Sequence, residues 1–194
     1  SKARGATWQV LGQQVLMGKL NIPVIPPEEL AKLELSEYAR PRVEQTQQLA
    51  PYGLPSNLDA WDGYPAARER LFAMLSAHAT NPVSLAGDTH NGWAFNLTNQ
   101  KGEAVGVEWG TPGISSPGLE NYVPLPPEQM QALLKGASPE LVACDTSQRG
   151  WTHVTLTPEA ATAQWRFVSS VTEPTYRTSA GEPLVTQRNA RALA

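Results

Sequence analysis

The sequence lacks several features that would mark particular classes of protein. Cys144 is the only cysteine among 194 residues, so no disulfide can form within the chain. The 15 basic and 18 acidic residues give a net charge of -3, without the basic excess of a nucleic-acid-binding face. No apolar run approaches the roughly 18 residues that a membrane span needs. We therefore expect no nucleic-acid partner and no membrane span, and the chain shows no signal segment.

Apolar residues make up 41% of the chain, which is typical of a globular protein. Its length suits one domain or a large part of one. The six tryptophans lie mostly at alternating positions of predicted strands. That spacing favours core packing over carbohydrate stacking.

The first half predicts mixed helices and strands. Trp8 and Val10 lie in an extended apolar segment that predicts a buried strand, and the proline-rich region 20–60 predicts irregular structure with one short helix from Pro27 to about Tyr38. A clearer helix is predicted from Pro65 to about Ala79, followed at once by a strand, Val83–Ala86. The predicted apolar stripe of that helix is Ala67, Leu71, Met74, Leu75 and His78.

The second half predicts two hairpins separated by a helix. Alternating apolar residues predict one hairpin over 93–109 and another over 151–169. Between them we expect a helix from Pro127 to Lys135 that ends at Gly136, then a shorter helix from Ser138. Beyond Thr172 the polar sequence predicts an irregular tail.

The most informative motif follows the strand Val83–Ala86. It reads Gly87-Asp88-Thr89-His90. In an extended segment, residues two apart point to the same side, so Asp88 and His90 are candidates for one metal centre. A carboxylate with an imidazole suits zinc, iron or manganese, and a carboxylate also suits calcium. A capped loop is the simpler reading of so short a motif.

Sequence blocks around this motif resemble those of PhoD-like alkaline phosphatases, a branch of the calcineurin-like metallophosphoesterases. Trp109 and Trp151 stand where that family usually has Phe and Tyr. The blocks occur in the family's order: Thr7–Met17, Asn57–Arg68, Leu85–Asn91, Glu108–Gly118 and Gly150–Val171.

The resemblance implies an α/β fold, namely half of a metallophosphoesterase α/β/β/α sandwich with a mixed sheet and C-terminal antiparallel hairpins. Residues 1–172 would be the C-terminal part of the catalytic domain, and 173–194 an irregular tail. The family's other metal ligands lie upstream of the Trp8 strand. The implied partner is thus the N-terminal half of the same domain, or a second copy through self-association.

The function implied by the resemblance is metal-dependent hydrolysis of phosphate esters, periplasmic or extracellular, with iron and calcium or other divalent metals. Asp88 and His90 would be catalytic metal ligands, with a second acceptor for the other ring N–H of His90. Asn91 is a candidate for contact with substrate. A phosphodiesterase or phospholipase of the same fold, or a non-catalytic binding module with a degenerate motif, remains an alternative.

Other polar residues have structural interpretations. His78 lies near a helix end, and His153 lies in a predicted hairpin. Asp59 and Asp62 precede a helix, where carboxylates satisfy free N–H groups, and Arg68 is a candidate partner for one of them. Ser115 and Ser116 have no His/Asp partners at nucleophile spacing, which argues against a serine hydrolase.

Overall fold

A computed structural model describes residues 5–194. Helices, a mixed sheet and an antiparallel sheet form its three layers. The α-helices are α1 (Pro27–Leu30), α2 (Ala39–Leu49), α3 (Pro65–His78) and α4 (Pro127–Ala137). The strands are β1 (Gln9–Gly12), β2 (Pro82–Ala86), β3 (Gly92–Thr98), β4 (Ala104–Gly110), β5 (Leu141–Asp145), β6 (Arg149–Leu156), β7 (Ala160–Val168), β8 (Thr178–Ala180) and β9 (Leu184–Gln187). No helix in this part of the chain has the length and apolar character to cross a membrane.

The larger sheet has five strands in the order β1-β2-β4-β3-β5. Strands β1, β2 and β4 are parallel, whereas β3 runs antiparallel to β4 and β5. The predicted first hairpin is thus confirmed as β3–β4. The expectation that the Trp8 segment is a buried strand is wrong, because β1 lies at the sheet edge and leaves Val10 45% exposed.

The smaller sheet is built around β7. Strand β6 forms the predicted second hairpin with β7, while β8 and β9 pair with opposite ends of β7. The irregular tail predicted after Thr172 is therefore wrong for the residues of β8 and β9. The division of the chain at residue 172 stays a prediction.

Two hydrophobic cores lie on opposite faces of the larger sheet. Phe95 of β3 packs toward the helices with Phe72 of α3 and Leu134 of α4. Trp109 of β4 packs on the other face against Trp165 of β7. The mixed sheet is therefore covered on both faces, which confirms the predicted layered α/β arrangement.

A register shift between β3 and β4 changes the face of the sheet on which Val105 packs. Leu97 pairs with Gly106, but the next residue of β3 pairs with Ala104. Val105 is left without an opposite residue and packs on the helical side, whereas Val107 packs toward the smaller sheet. Such a bulge breaks the strict alternation that the sequence predicts across this strand.

Helix α2 is missing from the sequence-based prediction. The sequence predicts one helix from Pro27 to Tyr38, but α1 ends at Leu30 and α2 begins at Ala39. Only Ala39 and Val43 of α2 are buried, so the helix lacks the broad apolar stripe that reveals an amphipathic helix. Its Gln47 side chain accepts from the Ile25 amide at 2.8 Å.

Helix α3 begins and ends close to the predicted positions, and Leu71 and Leu75 of the predicted stripe pack against the core on the helical side. Arg68 and Phe72 are its buried residues, whereas Met74 is 58% exposed and His78 is exposed. The predicted stripe is wrong at Met74 and His78, because the buried side of the helix lies along Arg68 and Phe72 and the stripe did not include Arg68. Arg68 is 1% exposed and pairs with Glu140.

Helix α4 continues through Gly136 to Ala137, so the predicted glycine stop is wrong. The short helix predicted from Ser138 is also wrong, since β5 begins at Leu141 and pairs with β3. The Ser138 hydroxyl accepts from the Asn21 amide at 3.0 Å. This serine therefore anchors a neighbouring segment and does not begin a helix.

Candidate metal centre

The Asp-X-His motif forms a tight loop at the carboxyl end of β2, between parallel neighbours β1 and β4. Ligands of open α/β sheets gather at such ends. Asp88 and His90 have φ values of 70° and 60°, whereas Gly87 has no positive φ. Asp and His adopt this left-handed region more often than most side chains. Two such residues so close together mark a specialised loop.

The conformation of the loop contradicts the prediction that the Asp88 and His90 side chains share one side of an extended segment. The alternation of side chains applies to extended backbone, and the loop is not extended at Asp88 or His90. The case for a shared metal centre therefore rests on the position of the loop and on the histidine ring.

The His90 ring is held in one tautomer by the loop that follows β4. Its Nδ1 lies 2.8 Å from the Pro117 carbonyl oxygen. A carbonyl oxygen only accepts, so Nδ1 carries the proton, and Nε2 of the neutral ring presents a lone pair. Metal-bound histidines commonly have such a backbone acceptor on the other nitrogen.

A partly buried ion pair links the two segments that meet at His90. Arg149 of β6 is 9% exposed, donates to the His90 carbonyl at 3.4 Å and pairs with the Glu120 carboxylate. Glu120 in turn accepts from the Gly118 amide at 3.3 Å. Burial lowers the pKa of Arg149. The pair connects the His90 backbone to the residue that follows Pro117, and sequence spacing gives no signal of it.

Asn91 is 1% exposed and lies directly behind His90. Its Oδ1 accepts from the Leu119 amide at 3.0 Å. Its Nδ2 is buried and has no hydrogen-bond partner among residues 5–194. A Cβ atom at Gly118 would lie 2.4 Å from Nδ2, so the loop needs glycine there for the backbone to approach the amide.

Asp88 and His90 are suitable types of ligand for a cation, but two ligands are too few for a typical catalytic metal. Asp88 is exposed and His90 is partly exposed. Both are therefore accessible to a cation, and Nε2 is a free nitrogen donor. Across residues 5–194, however, no group of three or more His, Cys, Asp or Glu side chains is placed to hold a metal. A typical catalytic metal has at least three protein ligands.

Glu108 is a fully buried carboxylate close to this end of the sheet. It accepts hydrogen bonds from the Met17 and Gly18 amides and the Ser84 hydroxyl at 2.8–2.9 Å. Burial raises the pKa of Glu108, and these hydrogen bonds oppose that rise. The residue holds the backbone after β1 against the sheet, a role that its place in the sequence block did not reveal.

Glu108 is one of three carboxylates that accept hydrogen bonds from the backbone of residues 17–21. We call this segment the strap. The Lys19 amide donates to Glu140 at 3.0 Å, and the Leu20 amide donates to Asp62 at 3.1 Å. The expectation that Asp62 caps the next helix is therefore wrong, since α3 has no side-chain cap. Burial raises the pKa of Asp62. The strap is held by carboxylates that are distant in sequence.

The remaining polar candidates lie outside this arrangement. His78 and His153 are exposed, and so is Asp59. Ser115 is exposed, and His90 Nδ1 is already bonded to the Pro117 carbonyl, so that nitrogen is unable to act as a base for a serine. Cys144 is buried, and its burial raises the thiol pKa to about 12.

The layered fold defines an α/β protein with a candidate site at the carboxyl ends of its parallel strands. The model of the PhoD-like phosphatase family matches residues 1–165. The chain therefore belongs to the PhoD-like phosphatase family, as the sequence blocks indicated.

Two relatives agree with this assignment. Alkaline phosphatase D of Bacillus subtilis (strain 168) is 31% identical over 142 residues, which cover 71% of this chain and 24% of that protein. A solved structure described as "Structure of PhoD" matches the fold with a TM-score of 0.66 at 24% identity, over 100% of this chain and 32% of that one. The chain thus spans about a quarter to a third of the relatives it matches.

Proposed function

We propose that this chain forms one side of the active site of a metal-dependent phosphoric ester hydrolase of the alkaline phosphatase D type. The observation that carries the proposal is the loop after β2, where His90 has its Nδ1 committed to Pro117 and its Nε2 available. The family match supports the reaction class. Asp88 and His90 are the proposed metal ligands.

Each residue has a defined part in this proposal. Asp88 brings a negative charge that offsets a cation, and His90 offers Nε2 while the Pro117 carbonyl fixes its ring. When bound, metal ions of such sites withdraw charge from phosphoryl oxygens and make water a better nucleophile. In the reaction, the ester P–O bond breaks, phosphorus gains a bond to the water oxygen, and the leaving alkoxide takes up a proton.

The metals that we propose are iron and calcium, with other divalent metals as substitutes. The support is the resemblance together with the mixed oxygen and nitrogen donors of the loop. Because residues 5–194 bring fewer than three ligands together, the proposal requires further ligands from outside them. The N-terminal half of the same domain or a second copy would supply these ligands. We also propose a periplasmic or secreted location by analogy with the family.

A non-catalytic binding module is the second candidate. It is favoured by the same shortage of ligands in the described part of the chain. In that case the loop with positive φ at Asp88 and His90 would have only a structural role, and the chain would bind its partner without turnover.

The test compares the complete gene product with the 194-residue chain. Each is loaded with iron and calcium, and hydrolysis of 4-nitrophenyl phosphate is measured with bound metal. We expect metal-dependent turnover by the complete product and near-background turnover by the chain alone, because its ligand set is incomplete. Adding the N-terminal half as a separate chain should restore activity. A complete product that binds no metal and has no turnover would favour the binding module, whereas robust turnover by the chain alone would contradict the incomplete site.

A further inference from the structure

A pocket of about 400 Å³ lies beside the candidate metal centre. It extends from His90 and Asn91 between the residues after the strap, helix α2 and helix α4. Ligand pockets in proteins commonly measure about 300–1,000 Å³ and are mostly apolar with a few polar groups. The apolar side chains of its wall include Ile22, Ile25, Val43, Val123, Met130 and Leu134.

Polar side chains also line the pocket, from the loop after β2 (His90 and Asn91) and from helix α2 (Arg42, Thr46 and Gln47). Asn91 Nδ2 is a buried donor without a partner in the described part of the chain. Native proteins rarely leave such a donor unpaired, so an unpaired one calls for an explanation. The Nδ2 atom itself is enclosed beside Gly118, where Glu120 Oε2, likewise unpaired within the described residues, also lies. An oxygen of a ligand at the His90 end of the pocket would therefore reach it only after a small shift of the Gly118 segment.

We propose that this pocket binds the organic group of a phosphate ester, either an aryl ring or a single short alkyl chain. This inference rests on the proposed function, which places the phosphoryl group at the His90 end. An ester oxygen would accept the hydrogen bond from Asn91 Nδ2. The apolar group would then lie against Val123 and Met130, away from water.

The size of the pocket limits the substrate class. A 150 Å³ apolar cavity is enough to bind benzene, so about 400 Å³ has room for an aryl group or a short chain. A bulky lipid with two long acyl chains would leave most of its apolar surface outside. The pocket therefore favours small aryl or alkyl esters over phospholipids.

The test is a titration of the complete gene product, kept free of added metal so that no ester is consumed, with inorganic phosphate and with methyl, butyl and hexyl phosphate, followed by calorimetry. If the alkyl chain enters the pocket, each added methylene should lower Kd by about fourfold. Equal Kd values for methyl and hexyl phosphate would overturn the proposal.

Two variants and one control test whether the dependence of Kd on alkyl chain length arises in this pocket. Val123→Phe, in the pocket wall, should reduce the hexyl-to-methyl affinity ratio at least tenfold, whereas Val171→Phe, 46% exposed and outside the wall, should leave the ratio unchanged. Asn91→Asp keeps the acceptor for Leu119 but removes the donor. It should weaken all the phosphates together without changing their dependence on chain length. Equal effects of Val123→Phe and Val171→Phe would overturn the assignment of the pocket.

The complete gene product separates this inference from the proposed function. Hydrolysis of 4-nitrophenyl phosphate with no dependence of binding on chain length would overturn the pocket assignment alone. A clear dependence on chain length with no hydrolysis of any ester would support the pocket and overturn the proposed function.

Discussion

Replacing Arg68 with methionine tests whether the structure identifies the main polar contact of the helical layer. The Arg68 guanidinium is buried and donates to the Met17 carbonyl at 2.7 Å, the Thr98 carbonyl at 3.1 Å and Glu140 at 2.7 Å. Methionine keeps much of the aliphatic volume but removes all of these donors. Glu140, which is 7% exposed, would lose its cation.

The expected cost of Arg68→Met is about 3–5 kcal/mol, the range for removing one partner of a buried ion pair. Glu140 keeps hydrogen bonds from the Lys19 amide and the Thr98 hydroxyl, which favours the lower end. The free energy of unfolding is measured by urea denaturation of the 194-residue chain, followed by circular dichroism. Arg70→Met, at an exposed position of the same helix, should change it by less than about 0.5 kcal/mol.

A double-mutant cycle with Glu140→Gln completes this test. Since Glu140→Gln removes the charge that Arg68→Met leaves unpaired, the double variant should be less destabilised than the sum of the single variants. Coupling of about 0.5–3 kcal/mol is usual for contacting residues. A cost below about 1 kcal/mol for Arg68→Met, or strict additivity, would refute the reasoning.

Three further changes test other parts of the fold. Because burial raises the pKa of Glu108 above its unfolded value, its contribution to stability is present at low pH and is lost as pH rises through the raised value. Glu108→Gln, which does not titrate, should therefore gain stability relative to wild type over that rise in pH, and parallel pH curves of unfolding free energy would contradict this. Trp165→Ala should cost about 3–5 kcal/mol, because that side chain is 6% exposed and its indole donates to the Gly110 carbonyl at 3.1 Å; unchanged stability with reduced activity would instead place it in the site. Cys144, with its pKa raised to about 12, should react with a thiol reagent at pH 8 only after unfolding, and rapid native labelling would show that the thiol is accessible.

The sequence predicts those elements whose residue pattern matches their burial. The strand before Asp88, the helix from Pro65 and both hairpins show clear periods of side chains or turn residues, and the structure contains all of them. Helix α2 buries only Ala39 and Val43, so its pattern was too weak to detect. Strand β8 is exposed, β9 buries only Thr186, and both depend on pairing with β7, which a local pattern does not encode.

The candidate site likewise combines features that the sequence predicts with contacts that only the fold creates. The Asp-X-His motif and the need for an acceptor on His90 follow from the residue types alone. Pro117, which is that acceptor, and Arg149, which holds the His90 carbonyl, lie 27 and 59 residues away in sequence. Only the fold brings such distant groups together.

Substitution of Asp88 or His90 by glycine tests directly whether these side chains bind the proposed metal. Metal content and phosphatase turnover are measured for the complete gene product carrying Asp88→Gly or His90→Gly. Glycine removes each side chain and adopts a positive φ without strain. Asn189→Gly is the matched control, because Asn189 has a φ of 68° and is exposed. We predict that each site variant loses most of its metal and turnover while Asn189→Gly keeps both. Wild-type metal content and turnover in Asp88→Gly would contradict the account.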